Sequence, residues 1–409
     1  MPRYLSNINL RKLSGKTCLL RVDLNIEPGE EKNAYRVDVV LPTIKLLLKN
    51  KIKVVILSHR GRPVLKSTQL LKGLKSDWDF NKINRRLSLK SFVPLLTRKL
   101  GISLCFIPYE HSWLLDPKKF ISQRKERLFL FENLRFYRGE ETNDWRLAKF
   151  LANWGDFYIN DAFAVSHRNN ASLTAITKYL PSYAGLLMEK EIRNLDKVMK
   201  NYKRPFTIIL GGAKISDKIG VIKYFWNKAD YFLIGGGPAN TFFAAQGLPV
   251  GDSLINRSML ESPTSKILSS FNVRKSDFPK LILPVDVKIG DNKILDIGER
   301  TIEEYNKIIK KSKTIIWNGP MGMFEKKGFA KGTKKITQAI CQLADKNKKA
   351  QIVIGGGETT AAFQAARGVI PRQVCVGPRL FISTGGGAML EYLSGKKLPG
   401  ITSLAGVRG

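Results

Sequence analysis

One stretch of the chain, residues 351–393, contains the same pattern twice. It reads QIVIGGGETTAAFQAA and then, after a short turn region, RLFISTGGGAMLEYL. In each copy, an apolar run typical of a buried strand ends in three glycines, and the glycines open a segment with helical character. This order of strand, glycine turn and helix predicts an α/β fold with parallel strands.

The glycine turns also predict a binding site for an anion. The N-terminus of a helix has unpaired N–H groups and a partial positive charge, and glycine lets the backbone approach a ligand closely. Two similar turns occur upstream, at Gly211-Gly212 in TIILGGAKISDK and around Gly236 in YFLIGGGPANTF. A single turn of this kind is usually an ordinary tight turn. Four of them, each after a hydrophobic run, favour a phosphate-rich ligand.

Length and composition limit the class of protein. A chain of 409 residues, 43% of them hydrophobic, is long enough for two globular domains. No apolar run approaches the roughly 20 residues that span a bilayer, and the N-terminus lacks the apolar core of a secretory signal. The cysteines and histidines do not have the spacing of zinc sites, so we expect reduced thiols and a cytoplasmic location. The four cysteines are Cys18, Cys105, Cys341 and Cys375.

The net charge of +35, from 69 Lys and Arg against 34 Asp and Glu, has three possible explanations. These are nucleic-acid or membrane binding, attraction of small polyanionic substrates, and a background of AT-rich coding. No RNA-recognition or helix-turn-helix signature occurs, so the last two are favoured. The basic stretch 64–90 is expected to be a solvated surface, with polyanion binding as the alternative.

Polar and basic residues follow the predicted strands of the first half. Arg21, Asp23 and Asn25 alternate with apolar residues in TCLLRVDLNI, which predicts that they share one face at the C-terminal end of a strand. His59 lies in the loop SHRGRP after a strand predicted at Lys53–Leu57. Open parallel sheets bind ligands at the carboxyl ends of their strands, and arginine suits phosphate and carboxylate groups. A basic site for a small, highly charged anion is therefore predicted, although SHRGRP alone could equally be a solvated loop. The arginines involved are Arg21, Arg36, Arg62, Arg135 and Arg168.

Three helices are also predicted, over residues 37–49, 89–100 and 181–202. The third follows a Pro/Gly break and is a candidate connector between domains. In the second half, Thr301 and Glu304 have the spacing of a capping box, which predicts a helix start at TIEEYNKIIKK. No glycine loop has the last glycine of GxGxxG, so a dinucleotide fingerprint is absent.

Together these segments resemble the phosphoglycerate kinase family. The similar segments are RVDLN, SHRGRP, LFENLRF, NDAFAVSHR, LLMEKEI, LGGAKISDK, IGGGPANTF, WNGPMGMFE, IGGGET, STGGGAMLE and GKKLPGI. They occur in the family's order over nearly the entire chain. The resemblance implies two Rossmann-like three-layer α/β/α domains with parallel sheets, joined by a hinge helix. It places the glycerate domain at residues 1–184, the hinge helix at 185–202, the nucleotide domain at 203–392, and a segment returning to the first domain at 393–409.

The resemblance also implies a reaction. A cytoplasmic monomer would transfer a phosphoryl group reversibly between 1,3-bisphosphoglycerate and ADP, with Mg²⁺, giving 3-phosphoglycerate and ATP in glycolysis. The glycerate and its phosphate would bind Asp23, Asn25, Arg36, His59, Arg62, Arg135 and Arg168. The nucleotide would contact Lys214, Lys218, Gly235, Gly236, Gly237, Asn318, Glu325, Gly355, Gly356, Gly357, Glu358 and Thr359, with Glu358 also linked to the metal. The moving phosphoryl group would be stabilised by Arg36, Lys214, Gly385, Gly386 and Gly387.

The chain departs from the family pattern at several positions. Glu358 stands where the family usually has Asp, so the carboxylate is one methylene longer and the metal geometry could shift. Arg60 replaces a common Leu in SHRGRP, and Phe381 replaces a common His before STGGG. None of these changes removes a residue assigned to charge stabilisation, so an active enzyme is predicted.

Two other functions remain open on the sequence. One is a basic nucleic-acid-binding protein that uses the same fold. The other is an acyl-phosphate kinase for a different small acid. The ordered set of arginine, lysine and glycine residues argues against polyanion binding as the sole role.

Overall fold

A computed structural model describes residues 2–31, 35–63, 85–112, 115–261, 281–367 and 379–405. These residues form two compact units. The first contains the described residues up to Lys190 together with those from Lys397 onward, and the second is Glu191–Lys396. Cys375 and most of the basic stretch 64–90 lie outside the described residues.

The first unit is built on a six-stranded sheet with the order β3-β4-β2-β1-β5-β6. Every neighbouring pair of strands is parallel. Strands β1, β4 and β5 are buried along their whole length, which is typical of a parallel sheet covered on both faces. The strands are β1 Thr17–Arg21, β2 Lys53–Leu57, β3 Leu104–Ile107, β4 Leu128–Phe131, β5 Phe157–Asn160 and β6 Ser182–Ala184.

Amphipathic helices cover this sheet. The first helix buries Val37, Val40, Ile44 and Leu47, which recur every three or four residues and form one apolar stripe. The predicted helix over 89–100 is divided into a 3₁₀ turn at Leu89–Phe92 and a helix that has proline in its first turn. The helices are α1 Tyr35–Lys49, α2 Val93–Leu100, α3 Tyr109–Ser112, α4 Pro117–Ser122 and α5 Trp145–Ala152.

The second unit repeats the design with the strand order β14-β13-β12-β7-β8-β9, again with parallel pairing. Strands β10 and β11 form a separate antiparallel hairpin. Its turn residues Asp291 and Asn292 both have positive φ, at 51° and 56°. The strands are β7 Phe206–Leu210, β8 Tyr231–Ile234, β9 Leu281–Ile282, β10 Val287–Gly290, β11 Lys293–Ile297, β12 Thr314–Asn318, β13 Gln351–Gly355 and β14 Leu380–Ser383.

One core cluster of the second unit joins β12 to two long helices through the fully buried Trp317, Tyr305 and Ile340. The Tyr305 hydroxyl donates to the Ile234 carbonyl at 2.7 Å and so ties its helix to the end of β8. The helices are α7 Ser216–Phe225, α8 Gly236–Ala245, α9 Arg257–Leu260, α10 Glu299–Lys311, α11 Lys331–Lys346, α12 Gly357–Arg367 and α13 Gly387–Leu393. The predicted class of two α/β folds with parallel sheets and flanking helices is confirmed.

The helix that connects the two units is α6, Leu186–Lys200. It is shorter than the predicted helix over 181–202 because Ser182–Ala184 pairs with β5 as a strand. The Asp161 carboxylate holds its N-terminus, since it accepts hydrogen bonds from the Met188 N–H at 2.9 Å and the Thr43 hydroxyl at 2.5 Å. Burial raises the pKa of Asp161 to about 6.

The predicted capping box at Thr301 is wrong. The helix begins two residues earlier, at Glu299, after Gly298 in an extended conformation. Thr301 lies inside the helix, where its hydroxyl donates to Asp286 and accepts the N–H groups of Val285 and Asp286. Tertiary contacts to the preceding loop thus replace the local capping pattern.

Two of the four cysteines are free thiols, as the sequence predicts. They are Cys18 and Cys105, and burial, followed by the nearby Asp161 charge, raises the pKa of Cys18.

Residues near the end of the chain pack in the first unit. The short helix α14, Pro399–Thr402, is fixed by the Gly400 N–H donating to the Ser166 carbonyl at 2.8 Å and by the Asn160 amide donating to the Gly400 carbonyl at 2.9 Å. Leu404 follows and is fully buried. None of the helices in the described ranges is long and apolar enough to cross a membrane.

Truncation of Leu404 tests how much this packing contributes to stability. We expect Leu404→Ala to lower the free energy of unfolding by about 2–4 kcal/mol, because it leaves a cavity in the first unit. Leu248→Ala is the control, since that leucine is 48% exposed. Urea denaturation measures both changes. Equal effects of the two substitutions would contradict the predicted role of Leu404.

Candidate active site

The loops after β1 and β2 hold four of the seven predicted glycerate-binding residues. Asp23 is buried and forms an ion pair with Arg36 at the start of α1. Asp23 also accepts the Asn25 N–H at 3.0 Å. The Asn25 side chain in turn accepts the Gly61 N–H at 2.8 Å, which joins the two loops. The sequence placed these polar groups on the strand itself, whereas β1 ends at Arg21 and they lie just beyond it.

His59 lies next to a buried arginine. Nη2 of Arg21 is 3.1 Å from Nδ1 of His59, and Nε of Arg21 donates to the Ser172 hydroxyl at 3.0 Å. Arginine can only donate, so Nδ1 of His59 is the acceptor and Nε2 carries the proton. Nε2 is buried and has no hydrogen-bond partner, which leaves a donor for a ligand. Burial, followed by the charges of the surrounding arginines, holds the pKa of His59 well below its usual range.

The remaining arginines repel one another. Burial and then the Arg168 charge lower the pKa of Arg135, and burial and then the Arg62 charge lower the pKa of Arg168. Nε of Arg135 is 3.4 Å from the Glu141 carboxylate, which is an ion-pair distance, but it makes no hydrogen bond. Nη2 of Arg135 is also without a partner. The structure thus brings an excess of positive charge together at one sheet edge. We call Arg21, Arg36, Arg62, Arg135 and Arg168 the arginine cluster.

Arg21 belongs to the basic site predicted from the strand ends, but it was missing from the glycerate-binding set that the family resemblance implies. Its position at the end of a strand was visible in the sequence, but its contact with His59, 38 residues away, was not. The buried Glu140 was missed as well. It accepts the Ser172 hydroxyl at 2.6 Å and so orients the group that binds Arg21.

In the second unit, hydrogen bonds join the glycine turns to one another. The Gly212 N–H donates to the Pro320 carbonyl at 2.7 Å, and the Gly237 N–H donates to the Gly212 carbonyl at 2.8 Å. The Asn318 amide donates to the Gly355 carbonyl at 2.8 Å. Gly319 has a φ of 90°, and a Cβ there would lie 2.1 Å from the Gly211 carbonyl oxygen. This close approach of backbones explains the glycine requirement.

The predicted nucleotide residues surround these turns. Lys218 is 5% exposed, and its amine donates to the Lys214 carbonyl at 2.8 Å, while Lys214 is itself exposed. Burial lowers the pKa of Lys218, and the charges of Asp217 and then Glu358 oppose this shift. Glu358 is exposed in the first turn of α12, near Gly212. Thr359 accepts the Gly319 N–H at 2.6 Å through its hydroxyl.

The last glycine turn is held by the connecting helix. Glu191 is fully buried and accepts the Thr384 N–H at 2.6 Å and the Ser383 hydroxyl at 2.7 Å. The Gly385 N–H donates to the Ser383 hydroxyl at 3.0 Å, so this predicted donor already has a partner. Gly386 precedes α13 with a φ of 50°, and Gly387 begins that helix.

The loop that contains Glu325 is fixed at its base by Asp296. This buried carboxylate accepts the Gly332 N–H and the Ile297 N–H, each at 2.9 Å. Burial raises the pKa of Asp296 to about 6. Glu325 itself is exposed on the same loop. Hydrogen bonds to Asp296 therefore fix the base of the loop, and the Glu325 carboxylate is exposed to a ligand.

Exposed apolar side chains near these loops are a further feature that the sequence did not reveal. Leu254 is 58% exposed in the segment after α8, and Met323, two residues before Glu325, is 51% exposed. Val285, just before β10, and Ile289, within β10, are exposed as well. A sequence pattern does not distinguish such positions from core positions. They suit contact with a flat apolar group.

Lowering the pH is expected to destabilise the chain through His59. Its folded pKa is depressed below the unfolded value of about 6.5, so the unfolded chain gains a proton first as the pH falls. The stability from this group is present above about pH 6.5 and decreases by up to about 1.4 kcal/mol per pH unit below it. Urea denaturation at about pH 7.5 and 5.5 measures the loss. We expect the unfolding free energy to fall less in His59→Gln than in the wild type. Equal losses in the two proteins would show that His59 is not the source of the pH dependence.

Comparisons with known proteins agree with this geometry. A family model described as phosphoglycerate kinase matches residues 8–396. Phosphoglycerate kinase from Dictyoglomus turgidum is 40% identical over 413 residues, covering 96% of each chain. Phosphoglycerate kinase 2, chloroplastic, from Arabidopsis thaliana is 37% identical over 430 residues, covering 98% of this chain and 82% of the relative.

Solved structures give the same result. The phosphoglycerate kinase structure from Coxiella burnetii aligns with a TM-score of 0.75 and 32% identity, covering 99% of both chains. The structure from Pyrococcus horikoshii aligns with a TM-score of 0.78 and 28% identity, covering 98% of both. The chain belongs to the phosphoglycerate kinase family, and its activity is phosphoryl transfer between 1,3-bisphosphoglycerate and ADP.

Proposed function

We propose that the first unit binds the glycerate substrate through the arginine cluster together with Asp23, Asn25 and His59. The observation that supports this most strongly is the unpartnered Nε2 of His59 beside Arg135, which has unpartnered nitrogens of its own. Buried donors without acceptors are costly unless a ligand supplies the acceptors. The carboxylate and phosphate of 3-phosphoglycerate provide those oxygens. Arg36 would share its guanidinium between Asp23 and the substrate, since its side chain is 32% exposed.

The second unit is proposed to bind the nucleotide. Its phosphates would lie at the N-terminus of α12, where Gly356 and Gly357 let them approach the backbone. The N–H groups of Gly236 and Gly237 at the start of α8 already donate to carbonyls. Lys214 and Lys218 would contact the phosphates, and Asn318 and Thr359 would hold the glycine turns in place. Glu325 would accept hydrogen bonds from the ribose hydroxyls. The exposed Leu254 and Met323 are candidates for contact with the base.

Magnesium fits this site as part of the nucleotide complex. No group of three or more His, Cys, Asp or Glu side chains able to hold a metal occurs in the described ranges. Mg²⁺ commonly uses one or two carboxylates and takes its other ligands from phosphates and water. Glu358, exposed in the first turn of α12, supplies one such carboxylate. When bound, the metal would neutralise charge on the nucleotide phosphates.

Phosphoryl transfer requires mainly alignment and charge stabilisation from the protein. As the acyl phosphate passes to ADP, negative charge spreads over its three outer oxygens. Arg36 and Lys214 would stabilise that charge, with backbone donors of Gly385, Gly386 and Gly387. Gly385 must release Ser383 before it can take part, because its N–H is already paired.

Assembly state and cellular location are further parts of the proposal. A monomer is favoured because each proposed binding site is built entirely within one unit of a single chain. The free thiols of Cys18 and Cys105 support a cytoplasmic location. Nucleic acid is not a proposed partner, since no observation beyond the charge of +35 favours it.

Coupled turnover of 3-phosphoglycerate and Mg-ATP by the purified protein tests the proposed roles. We expect Arg36→Ala and Lys214→Ala each to lower kcat about 100-fold to 1,000-fold, the range for removing one stabiliser of transition-state charge. Lys310→Ala is the matched control, because this exposed lysine lies on α10 and contacts none of the proposed site. Full activity of the Arg36→Ala protein would refute the assignment. Absence of wild-type turnover with 3-phosphoglycerate, but turnover with another small acid, would identify a different substrate.

Substitution of Glu358 tests the metal assignment. We expect Glu358→Gln to raise the Mg²⁺ concentration needed for half-maximal binding of ADP on the order of tenfold, because a charged ligand is lost. Glu358→Asp should stay within about twofold of the wild type, since the carboxylate is kept. Titration calorimetry with Mg-ADP measures both variants. An unchanged Mg²⁺ requirement in Glu358→Gln would exclude this carboxylate from the metal site.

A further inference from the structure

Arg60 lies within the loop of the proposed glycerate site but does not face a ligand. Its side chain is 1% exposed, and each guanidinium nitrogen has a protein partner. Nε donates to the Ile26 carbonyl at 2.8 Å, and Nη2 donates to the Glu31 carboxylate at 2.7 Å. Nη1 donates to the Ser91 hydroxyl at 2.8 Å. Arg60 therefore differs from the arginine cluster, in which donors of Arg135 remain without partners.

Glu31 completes a closed set of contacts. Its Oε1 accepts from Arg60 and from the Ser91 hydroxyl, the latter at 3.0 Å, and its Oε2 accepts the Gly29 N–H at 2.9 Å. Burial opposes ionisation of Glu31, but hydrogen bonds from its own backbone N–H and from Arg60 and Ser91, together with the Arg60 charge, lower its pKa overall. The Arg60 guanidinium also lies over the ring of Phe92, 5.1 Å from its centroid. The pair is thus a fixed part of the structure.

These contacts join two loops that contain predicted substrate ligands. The Ile26 carbonyl held by Arg60 directly follows Asn25 in the chain. On the other loop, Arg60 lies between His59 and Gly61, and the Gly61 N–H donates to the Asn25 side chain. The backbone of Arg60 is fixed too, because its N–H donates to the Asn133 amide oxygen at 3.1 Å and its carbonyl accepts the Asn133 amide N–H at 2.7 Å.

We propose that the Arg60–Glu31 ion pair is a positioning device that sets the distance between the loop of Asp23 and Asn25 and the loop of His59 and Arg62. This inference rests on the proposed role of those residues in binding 3-phosphoglycerate. A small ligand that contacts both loops binds well only when their spacing is correct. For a reacting group, misplacement by about 1 Å can lower the reaction rate by two orders of magnitude. Because Arg60 has no nitrogen left for the ligand, its effect is transmitted through Asn25 and His59.

The test is titration of 3-phosphoglycerate into the full-length protein. We expect Arg60→Leu, which places the residue common in the family at this position, to weaken binding on the order of tenfold. Glu31→Gln should have a similar effect, and the double variant should be no weaker than either single variant, because the two residues act as one unit. Affinity for Mg-ADP should stay within about twofold of the wild type, since the nucleotide residues lie in the other unit.

Lys99→Leu is the matched control. It breaks the Lys99–Asp38 ion pair, 2.6 Å long, which joins α2 to α1 in the same unit without contacting either loop. It should leave 3-phosphoglycerate affinity unchanged and change the melting temperature little, because the Asp38 side chain is 56% exposed. A purely structural role for Arg60 would lower the melting temperature of Arg60→Leu without changing 3-phosphoglycerate affinity, and that result would overturn the proposal. If the Arg60→Leu protein does not fold, the 3-phosphoglycerate affinity of Glu31→Gln tests the proposal by itself.

Arg36→Ala distinguishes a failure of the proposed glycerate site from a failure of the positioning role of Arg60. If it weakens 3-phosphoglycerate binding while Arg60→Leu and Glu31→Gln leave binding unchanged, the site stands and the positioning role is wrong. If Arg36→Ala has no effect either, the proposed site itself is wrong. Independent, additive effects of Arg60→Leu and Glu31→Gln would also contradict a single positioning unit.

Discussion

Repulsion among neighbouring guanidinium groups is the constraint on which the first unit depends. The arginine cluster and His59 converge at one sheet edge, and only a few carboxylates face them. Asp23 neutralises Arg36, and Glu140 orients Ser172, which in turn holds Arg21. These buried contacts keep the cluster in place without cancelling its charge. The remaining positive charge and the unpaired donors are what make the site selective for a small, highly charged anion.

The second unit meets a different requirement, because phosphate groups must be able to approach its backbone. Its glycine turns hold one another through main-chain hydrogen bonds, as between Gly212 and Pro320. A side chain at Gly211 or Gly319 would meet a carbonyl oxygen at 2.1 Å. The turns are therefore close-packed and fixed before any ligand binds. This arrangement holds the turns in position for the nucleotide, whereas the Gly385 N–H must first release Ser383.

Much of the fold follows from local sequence. The strand Lys53–Leu57 matches its predicted bounds because its apolar run ends at the polar residue Ser58. Local signals failed where tertiary contacts were stronger. Thr301 has the pattern of a cap but binds Asp286 instead. Arg60 was expected in a basic loop open to ligand or solvent, yet it is buried against Glu31, 29 residues away in the chain. Such a pairing depends on how two loops fold together, which periodicity and spacing do not reveal.

The most direct measurement is the electron density of 3-phosphoglycerate in a crystal of the protein grown with that ligand. We expect the phosphate and carboxylate oxygens within hydrogen-bond distance of His59 Nε2 and of the free nitrogens of Arg135, with the Arg60–Glu31 pair intact beneath them. Density for 3-phosphoglycerate elsewhere, with His59 and Arg135 still lacking partners, would contradict the assignment of the arginine cluster as the glycerate site.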